Sequence, residues 1–174
     1  PADAMFIAEA PGRLGADRTG IPLSGDASGR NFLDLLESAG IDDSCCFITN
    51  AVLCNPRSVY GNNRRPKIVE LRNCLGFLQE QIEIVDPAVI VTLGAVALES
   101  LGRIEEHDLH LADAVARPIS WRGRILWPLY HPAPRAMIHR PKPKQIEDYS
   151  RLRAFLEQRL KASAPILDMA GRQT

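Results

Sequence analysis

Three polar side chains of different chemistry lie where strand-like stretches of this sequence give way to loops. They are the carboxylate of Glu9, the amide of Asn50 and the imidazole of His131. The carboxyl ends of parallel strands meet at one edge of a sheet, and ligands bind beyond that edge. We therefore expect the three side chains to line one ligand site. Polar residues at strand ends also cap helices and fix turns, so position alone leaves that second reading open.

The elements that must position these side chains alternate between strand and helix. This alternation predicts an α/β fold in which helices cover both faces of a parallel sheet. The final strand contains Pro128, which indicates an edge strand or a strand that is ending. Four apolar runs are predicted as strands, at residues 5–10, 45–50, 88–93 and 124–130.

Four helices are predicted between and after these strands. The first spans residues 28–39 with Ser28 as its N-cap, because an apolar stripe follows a capping residue. The second begins at Pro66, where apolar residues recur at intervals of three and four up to Val85. The other two are a short helix ending at Leu101 and a last helix over 145–161. Residues 102–121 have no assignable pattern, and the tail after Ala162 is expected to be poorly ordered.

A chain of 174 residues fits a single domain, whose core we place at about residues 5–161. No apolar run approaches the roughly 20 residues that a membrane-spanning helix needs. The N-terminus does not resemble a secretory signal, so we expect a soluble, cytoplasmic protein. The four cysteines include no CxxC pair, and the sequence therefore predicts no ready-made metal site.

The whole-chain charge does not favour nucleic-acid binding, because 21 basic and 21 acidic residues cancel. Cations are nevertheless concentrated in two segments, 56–72 and 135–144. Each segment is either an ordinary solvated face or a contact surface for phosphates. Their cations are Arg57, Arg64, Arg65, Lys67, Arg72, Arg135, Arg140, Lys142 and Lys144.

Four segments, in order along the chain, resemble motifs of the uracil-DNA glycosylase superfamily. Residues 8–12 (AEAPG) resemble the GEAPG motif of family 4, and residues 15–29 (GADRTGIPLSGDASG) are closer to the family 5 loop. Residues 48–54 (ITNAVLC) resemble the ITNxVKC segment of family 4, and residues 130–133 (YHPA) resemble the HPS/HPA motif. The resemblance covers about residues 6–156 and implies a three-layer α/β/α fold with a four-stranded parallel sheet. It also implies excision of uracil from DNA, with other deaminated bases open as further substrates, by base flipping and water attack at C1′.

The resemblance implies a role for each strand-end residue. Asn50 matches the residue whose amide reads uracil O4 and N3, which suits a group that both donates and accepts hydrogen bonds. His131 matches the histidine that donates to uracil O2 as negative charge develops on the leaving base. A carboxylate positions the attacking water and stabilises the cationic sugar. Either Glu9 or Asp26 could do this, because Glu9 occupies the family 4 position and Asp26 the family 5 position.

Further roles follow from the same resemblance. Ala10, Pro11 and Gly12 are expected to line the base pocket, and Leu23 stands where these families commonly have an aromatic residue. Losing that ring would remove face-on stacking and broaden the choice of base. The loop after His131 is expected to enter the minor groove with Arg135 or Met137 as the wedge. The cations expected to contact DNA are Arg57, Arg64, Arg65, Arg135 and Arg140.

The resembled families hold a [4Fe–4S] cluster by an upstream CxxC pair and two later cysteines. Cys54 and Cys74 lie near the later positions, but this sequence has no counterpart of the upstream pair. We therefore expect no metal, no cluster and no organic cofactor. The expected partner is uracil-containing DNA. We expect the protein to act as a monomer and not to bind a membrane.

Two other functions remain open at this point. The first is a protein of the same superfamily that binds or covalently traps uracil-DNA through a histidine in a KRRIH-like loop, a sequence absent here. The second is a nucleotide-binding α/β protein, because glycine loops at strand ends also cradle phosphates. Against it, the chain contains neither GxxxxGK[ST] nor GxGxxG.

Overall fold

The computed structural model describes residues 2–163 and forms a three-layer α/β/α domain. Its first half contains β1 (Ala4–Ala8), α1 (Ala16–Thr19), α2 (Ala27–Ala39), β2 (Cys46–Asn50) and α3 (Ile68–Val85). Its second half contains β3 (Val89–Leu93), α4 (Ala95–Gly102), α5 (Leu111–Ala114), β4 (Ile119–Trp121), β5 (Arg124–Leu129) and α6 (Lys142–Ser163). Two 3-10 helices, Asp43–Cys45 and Ala136–Ile138, complete the described elements. The predicted tail after Ala162 lies almost entirely outside the described residues.

The central sheet has five strands in the order β2-β1-β3-β5-β4. The four predicted strands are present and run parallel, as expected. The count of four was wrong because β4 adds a short antiparallel edge strand beside β5. A tight turn at Arg122 and Gly123, both with positive φ, joins these two strands. A two-residue turn of this kind favours glycine and asparagine. Because an arginine occupies its first position, the sequence did not predict the hairpin, and β4 lay in the unassigned segment 102–121.

Side-chain alternation along β1 explains the three layers. Ala4, Phe6 and Ala8 contribute to one hydrophobic core, while Met5 and Ile7 contribute to the other. Successive residues of a strand point to opposite faces, so a strand that is apolar throughout must be covered on both sides. Helices α2 and α6 pack on the first face, and α3 and α4 on the second.

Several predicted boundaries shift by a few residues. Helix α2 begins at Ala27 and is capped by Asp26, so the assignment of Ser28 as N-cap was wrong. Helix α3 begins at Ile68, where Glu70 accepts a hydrogen bond from the backbone N–H of Lys67 at 2.7 Å. Helix α6 begins at Lys142, earlier than predicted, because a proline is tolerated in the first turn of a helix. Pro128 is not on the edge strand; it lies near the end of β5, beyond the last residue pair with β4.

Candidate active site

Loops at the carboxyl edge of the sheet enclose an open cavity of about 690 Å³. Glu9 follows β1, Asn50 ends β2 and His131 follows β5, and all three line this cavity. Asp26 reaches the same cavity from the N-terminus of α2. The parallel register explains the meeting, since Ala8 pairs with Asn50 across the neighbouring strands. The predicted site residues that line the cavity are Glu9, Ala10, Pro11, Gly12, Leu23, Asp26, Asn50, Arg64, Arg65, His131 and Arg135.

The His131 ring is oriented by its own loop. Its Nδ1 accepts a hydrogen bond from the backbone N–H of Ala133 at 3.1 Å. Burial of the ring lowers the pKa of His131 to about 4, although the nearby Asp26 carboxylate offsets part of this drop. The imidazole is therefore neutral near pH 7, and an acceptor at Nδ1 leaves the proton on Nε2. His131 thus presents a neutral N–H donor at the cavity.

Asp26 serves the fold as well as the cavity. One carboxylate oxygen, Oδ1, accepts a hydrogen bond from the backbone N–H of Gly29 at 3.0 Å and caps α2. The other oxygen, Oδ2, lies so close to Gly12 and Gly15 that a Cβ on either residue would approach it to 2.8 or 2.6 Å. The glycines of the first loop therefore leave room for this carboxylate. Because the cap occupies Oδ1, Oδ2 is the oxygen left for chemistry.

Glu9 lies at a partly buried position of the cavity, and this burial shifts its pKa. Burial raises the pKa of its carboxyl group above the usual value, and the positive charge of Arg65 opposes that rise. The backbone at this position is held by a hydrogen bond from the Val52 N–H to the Glu9 carbonyl at 3.1 Å. A raised pKa in a cleft marks a candidate acid–base group. Glu9 can therefore hold a proton at a higher pH than an exposed glutamate.

Asn50 is only 5% exposed and belongs to the sheet rather than to a mobile loop. Its neighbour Thr49, which points to the opposite face, donates a hydrogen bond to Gln81 on α3 at 2.8 Å. The strand thus fixes the direction in which the Asn50 amide can face. A buried amide on a rigid strand is suited to reading the edge of a base.

Leu23 forms an apolar part of the cavity wall and packs against the core beneath α2. Its backbone has a φ of +50°, a conformation that costs a residue with a Cβ roughly 1–2 kcal/mol. Gly29 packs directly against it, since a Cβ there would come within 2.4 Å of the Leu23 carbonyl oxygen. The side chain can contact a bound base, but it offers no ring for stacking.

Most of the cations predicted to contact DNA already have acidic partners. Arg64 forms two hydrogen bonds with Glu70, at 2.6 and 2.7 Å, and Arg65 pairs with Glu99 at 2.7 Å. Arg57 pairs with Asp17 and does not line the cavity. Arg140 also lies outside the cavity lining and pairs with Asp148 at 2.5 and 2.8 Å. Arg135 lies at the rim and is exposed.

Replacing Arg140 with alanine should destabilise the fold rather than only weaken DNA binding. Asp148 on α6 is 1% exposed, so loss of its partner would leave a carboxylate buried without compensation. Breaking such a pair typically costs about 3–5 kcal/mol. Chemical denaturation would measure this loss, and Lys144→Ala, which removes an exposed pair with Glu147, is the matched control. A variant of wild-type stability with reduced DNA affinity would instead assign Arg140 to DNA.

The loop after His131 exposes a residue that the sequence analysis did not select. Met137 is half-buried and does not line the cavity, whereas Ile138, in the same 3-10 helix, is 78% exposed. Arg135, Ala136 and His139 around it do line the cavity. The sequence showed two adjacent apolar residues, Met137 and Ile138, in this loop. Only the orientation of the 3-10 helix shows that Ile138 is the exposed one.

Asn63 is a second residue that sequence reasoning missed. Its Oδ1 accepts hydrogen bonds from the Arg13 N–H at 3.0 Å and from the Asn55 amide at 3.1 Å. Asn55 also donates to the Pro11 carbonyl at 2.8 Å. These bonds join the first loop to the loop after β2, and Asn63 itself lines the cavity. Its signal in the sequence was only a pair of asparagines within a long loop.

A [4Fe–4S] cluster needs four thiolate ligands, and the described residues do not provide such a set. Cys45, Cys46, Cys54 and Cys74 are all free, and residues 2–163 contain no group of three or more side chains arranged to hold a metal. Burial, together with the neighbouring Cys45 and nearby acids, raises the pKa of the Cys46 thiol to about 12, which disfavours the thiolate.

Within residues 2–163, no helix is long and apolar enough to cross a membrane.

The fold and the cavity define an α/β protein with a site at the carboxyl edge of its sheet that is lined by two carboxylates, an amide and an imidazole. Comparison with protein families gives a match to the uracil DNA glycosylase superfamily over residues 1–154. The chain belongs to this superfamily.

Named relatives fall in two of its types. A type-4 uracil-DNA glycosylase from Sulfurisphaera tokodaii is 32% identical over 160 residues, which are 87% of this chain and 69% of the relative. A type-4 enzyme from Thermotoga maritima is 37% identical over 130 residues, covering 74% of this chain and 64% of the relative. A type-5 enzyme from Pyrobaculum aerophilum is 30% identical over 147 residues, which are 75% of this chain and 61% of the relative. The mixture of type-4 and type-5 relatives agrees with the mixed motifs of the first two loops.

Proposed function

We propose that this chain hydrolyses the N-glycosidic bond of uracil in DNA and leaves an abasic site. One observation carries the proposal: Glu9, Asp26, Asn50 and His131, from four separate segments, line a single cavity. A carboxylate pair, an amide and a neutral imidazole together provide base reading, charge stabilisation and water positioning. The type-4 and type-5 relatives are named for this activity.

In the proposed reaction the target nucleotide leaves the base stack and enters the cavity. The Asn50 amide donates to uracil O4 and accepts from N3–H, so the base is read before chemistry begins. The cavity volume of about 690 Å³ lies within the usual range of ligand sites and can hold the base with its sugar.

The bond between C1′ and uracil N1 then breaks, and its electron pair leaves with the base. His131 Nε2–H donates to O2, where the negative charge develops, while the carboxylates stabilise the positive charge on the sugar. Water adds to C1′ and loses a proton to a carboxylate. The uracil anion takes a proton from solvent. No step requires a metal or an organic cofactor.

The proposed enzyme is monofunctional and acts as a monomer. A glycosylase that also cuts the strand uses an amine to form a Schiff base with the sugar. No lysine is among the described residues that line the cavity.

Cleavage of end-labelled oligonucleotides with one uracil tests this proposal on single- and double-stranded DNA. Strand breaks at the uracil that appear only after alkali would support a monofunctional glycosylase. An alternative outcome is trapping, which has one specific observation in its favour: His139 lines the cavity and is exposed. A stable complex that resists SDS and is lost in His139→Ala, formed with release of one uracil per trapped strand and no further turnover, would replace hydrolysis by trapping.

Glu9→Gln should remove the acid limb of the pH profile. Because burial raises the pKa of Glu9, its useful carboxylate is present above that raised pKa and is lost as pH falls through it. The wild-type kcat/KM should therefore begin to fall at a pH above the ordinary glutamate value of 4.5. The pKa of His131 is about 4, below the raised pKa of Glu9. The part of the acid limb at higher pH therefore reports the protonation of Glu9. Glu9→Gln should show a plateau there, lowered roughly 10²-fold at neutral pH.

Asp26→Asn is the matched variant for this experiment. Asparagine caps helices as well as aspartate does, so α2 should remain intact while the charge is removed. If Glu9→Gln keeps wild-type activity and the same acid limb, while Asp26→Asn loses activity, Asp26 is the dominant carboxylate.

A further inference from the structure

A short hairpin at residues 57–63 carries two apolar side chains away from the body of the protein. Arg57 and Asn63 form an antiparallel bridge at its base. The Gly61 N–H donates to the Ser58 carbonyl at 2.9 Å, closing a turn whose two central residues are Val59 and Tyr60. These side chains are 94% and 87% exposed. The tip therefore gains almost no packing energy from the described chain.

The residue types at this tip are unusual for a turn. Central turn positions favour Gly, Pro, Asn, Asp and Ser, each of which suits the backbone or bonds to it. A single exposed apolar residue is common on protein surfaces. Here a β-branched residue and an aromatic residue occupy both central positions and point into solvent. Such a pair can contribute binding energy only through contact with another molecule.

The hairpin is held rigidly against the protein. The Arg64 side chain donates to the Arg57 carbonyl at 2.9 Å, and its backbone N–H donates to the Pro56 carbonyl at 3.0 Å. The ion pair between Arg57 and Asp17 connects the hairpin to the first loop. A prearranged tip loses little conformational entropy when it binds.

The hairpin stands on the rim of the active-site cavity. Pro56, immediately before it, and Asn63 and Arg64, at its end, all line the cavity. A molecule that fills the cavity and extends past Asn63 or Arg64 therefore meets the hairpin that carries the tip. Under the proposed function that molecule is DNA, whose bases offer flat apolar faces beside an anionic backbone.

We propose that Tyr60 stacks on a nucleobase close to the flipped uracil, with Val59 in apolar contact beside it. This inference rests on the proposed function, because it assumes that uracil-DNA occupies the cavity. Stacking of a base on an aromatic side chain does not depend on base identity, since every base has a π face. Loss of the ring should weaken DNA binding about 10- to 100-fold and leave kcat nearly unchanged, because the ring touches no reacting atom.

The test is a double-mutant cycle between Tyr60 and the DNA. Wild type, Tyr60→Ala and Tyr60→Phe are compared on uracil oligonucleotides in which one flanking base at a time is replaced by an abasic spacer. Contacting partners show coupling in such a cycle, and independent ones do not. At one flanking position the spacer should weaken wild type and Tyr60→Phe about tenfold or more, yet have little further effect on Tyr60→Ala.

Ile84→Ala is the matched control, because Ile84 is also a large exposed apolar residue but lies near the end of α3, towards the opposite edge of the sheet. It should bind and cleave as wild type does. Additive effects at every flanking position would overturn the stacking contact while leaving wild-type cleavage intact. Failure of the wild type to cleave or bind any uracil oligonucleotide would instead remove the proposed function itself.

Discussion

Replacing His131 with alanine should lower the kcat for uracil excision about 10²- to 10³-fold, with little change in KM. The Nε2–H bond strengthens as charge reaches O2, so it acts mainly in the transition state, and one preorganised donor of this kind is typically worth that factor. The hydrogen bond from Ala133 to Nδ1 holds the ring with this donor available. Single-turnover cleavage of a uracil oligonucleotide measures the chemical step directly.

His110→Ala is the matched control for this prediction. His110 is exposed and is not among the residues that line the cavity, so its loss should leave single-turnover rates unchanged. A His131→Ala enzyme that remains folded and retains wild-type kcat would refute the role of the imidazole. If kcat is retained while KM rises, His131 contributes equally to ground-state and transition-state binding.

Replacing Asn50 with alanine should lower kcat/KM for uracil about 10³-fold or more. The amide is the proposed reader of the base edge, and a site built around hydrogen bonds discriminates strongly when those bonds cannot form. The loss should be accompanied by poorer discrimination between uracil and an apolar base analogue of similar shape. Competition between oligonucleotides carrying uracil and such an analogue measures this change.

Thr49→Val separates base reading from damage to the strand. Thr49 is the buried neighbour of Asn50 on β2, and its hydroxyl bonds to Gln81 away from the cavity. This variant should lose some stability and keep its selectivity for uracil. If Asn50→Ala retained wild-type selectivity, the amide would be a structural residue at a strand end, which is the alternative left open by position alone.

The two predictions depend on different parts of the architecture. Asn50 is the last residue of the edge strand β2 and is held by pairing with Ala8 of β1. His131 lies in a loop, and its orientation depends on one local backbone bond and on close packing against Gly94, where a Cβ would approach that of His131 to 3.3 Å. Strand pairing therefore positions the proposed base-reading amide, whereas one loop hydrogen bond and close packing position the proposed donor.

Much of the fold follows from local sequence patterns. Apolar runs predicted the four parallel strands, and the three-and-four spacing predicted α3, because both patterns reflect which face of an element is buried. The meeting of Glu9, Asn50 and His131 followed from one rule, that parallel strands end at a common edge. Local rules failed at Arg122, whose positive φ in the β4–β5 turn is imposed by the hairpin rather than favoured by the residue.

The sequence by itself therefore determined the fold class, the edge of the sheet that carries the site and the residues that converge there. Only the tertiary structure decided that Asp26 divides its carboxylate between a helix cap and the cavity. It also decided that Arg140 is committed to the buried Asp148, that Ile138 is exposed while Met137 is half-buried, and that Tyr60 is exposed at the tip of a hairpin. The physical reason is that strand and helix periodicity is local along the chain. Ion pairing, close approach and exposure, by contrast, depend on partners that are distant in sequence.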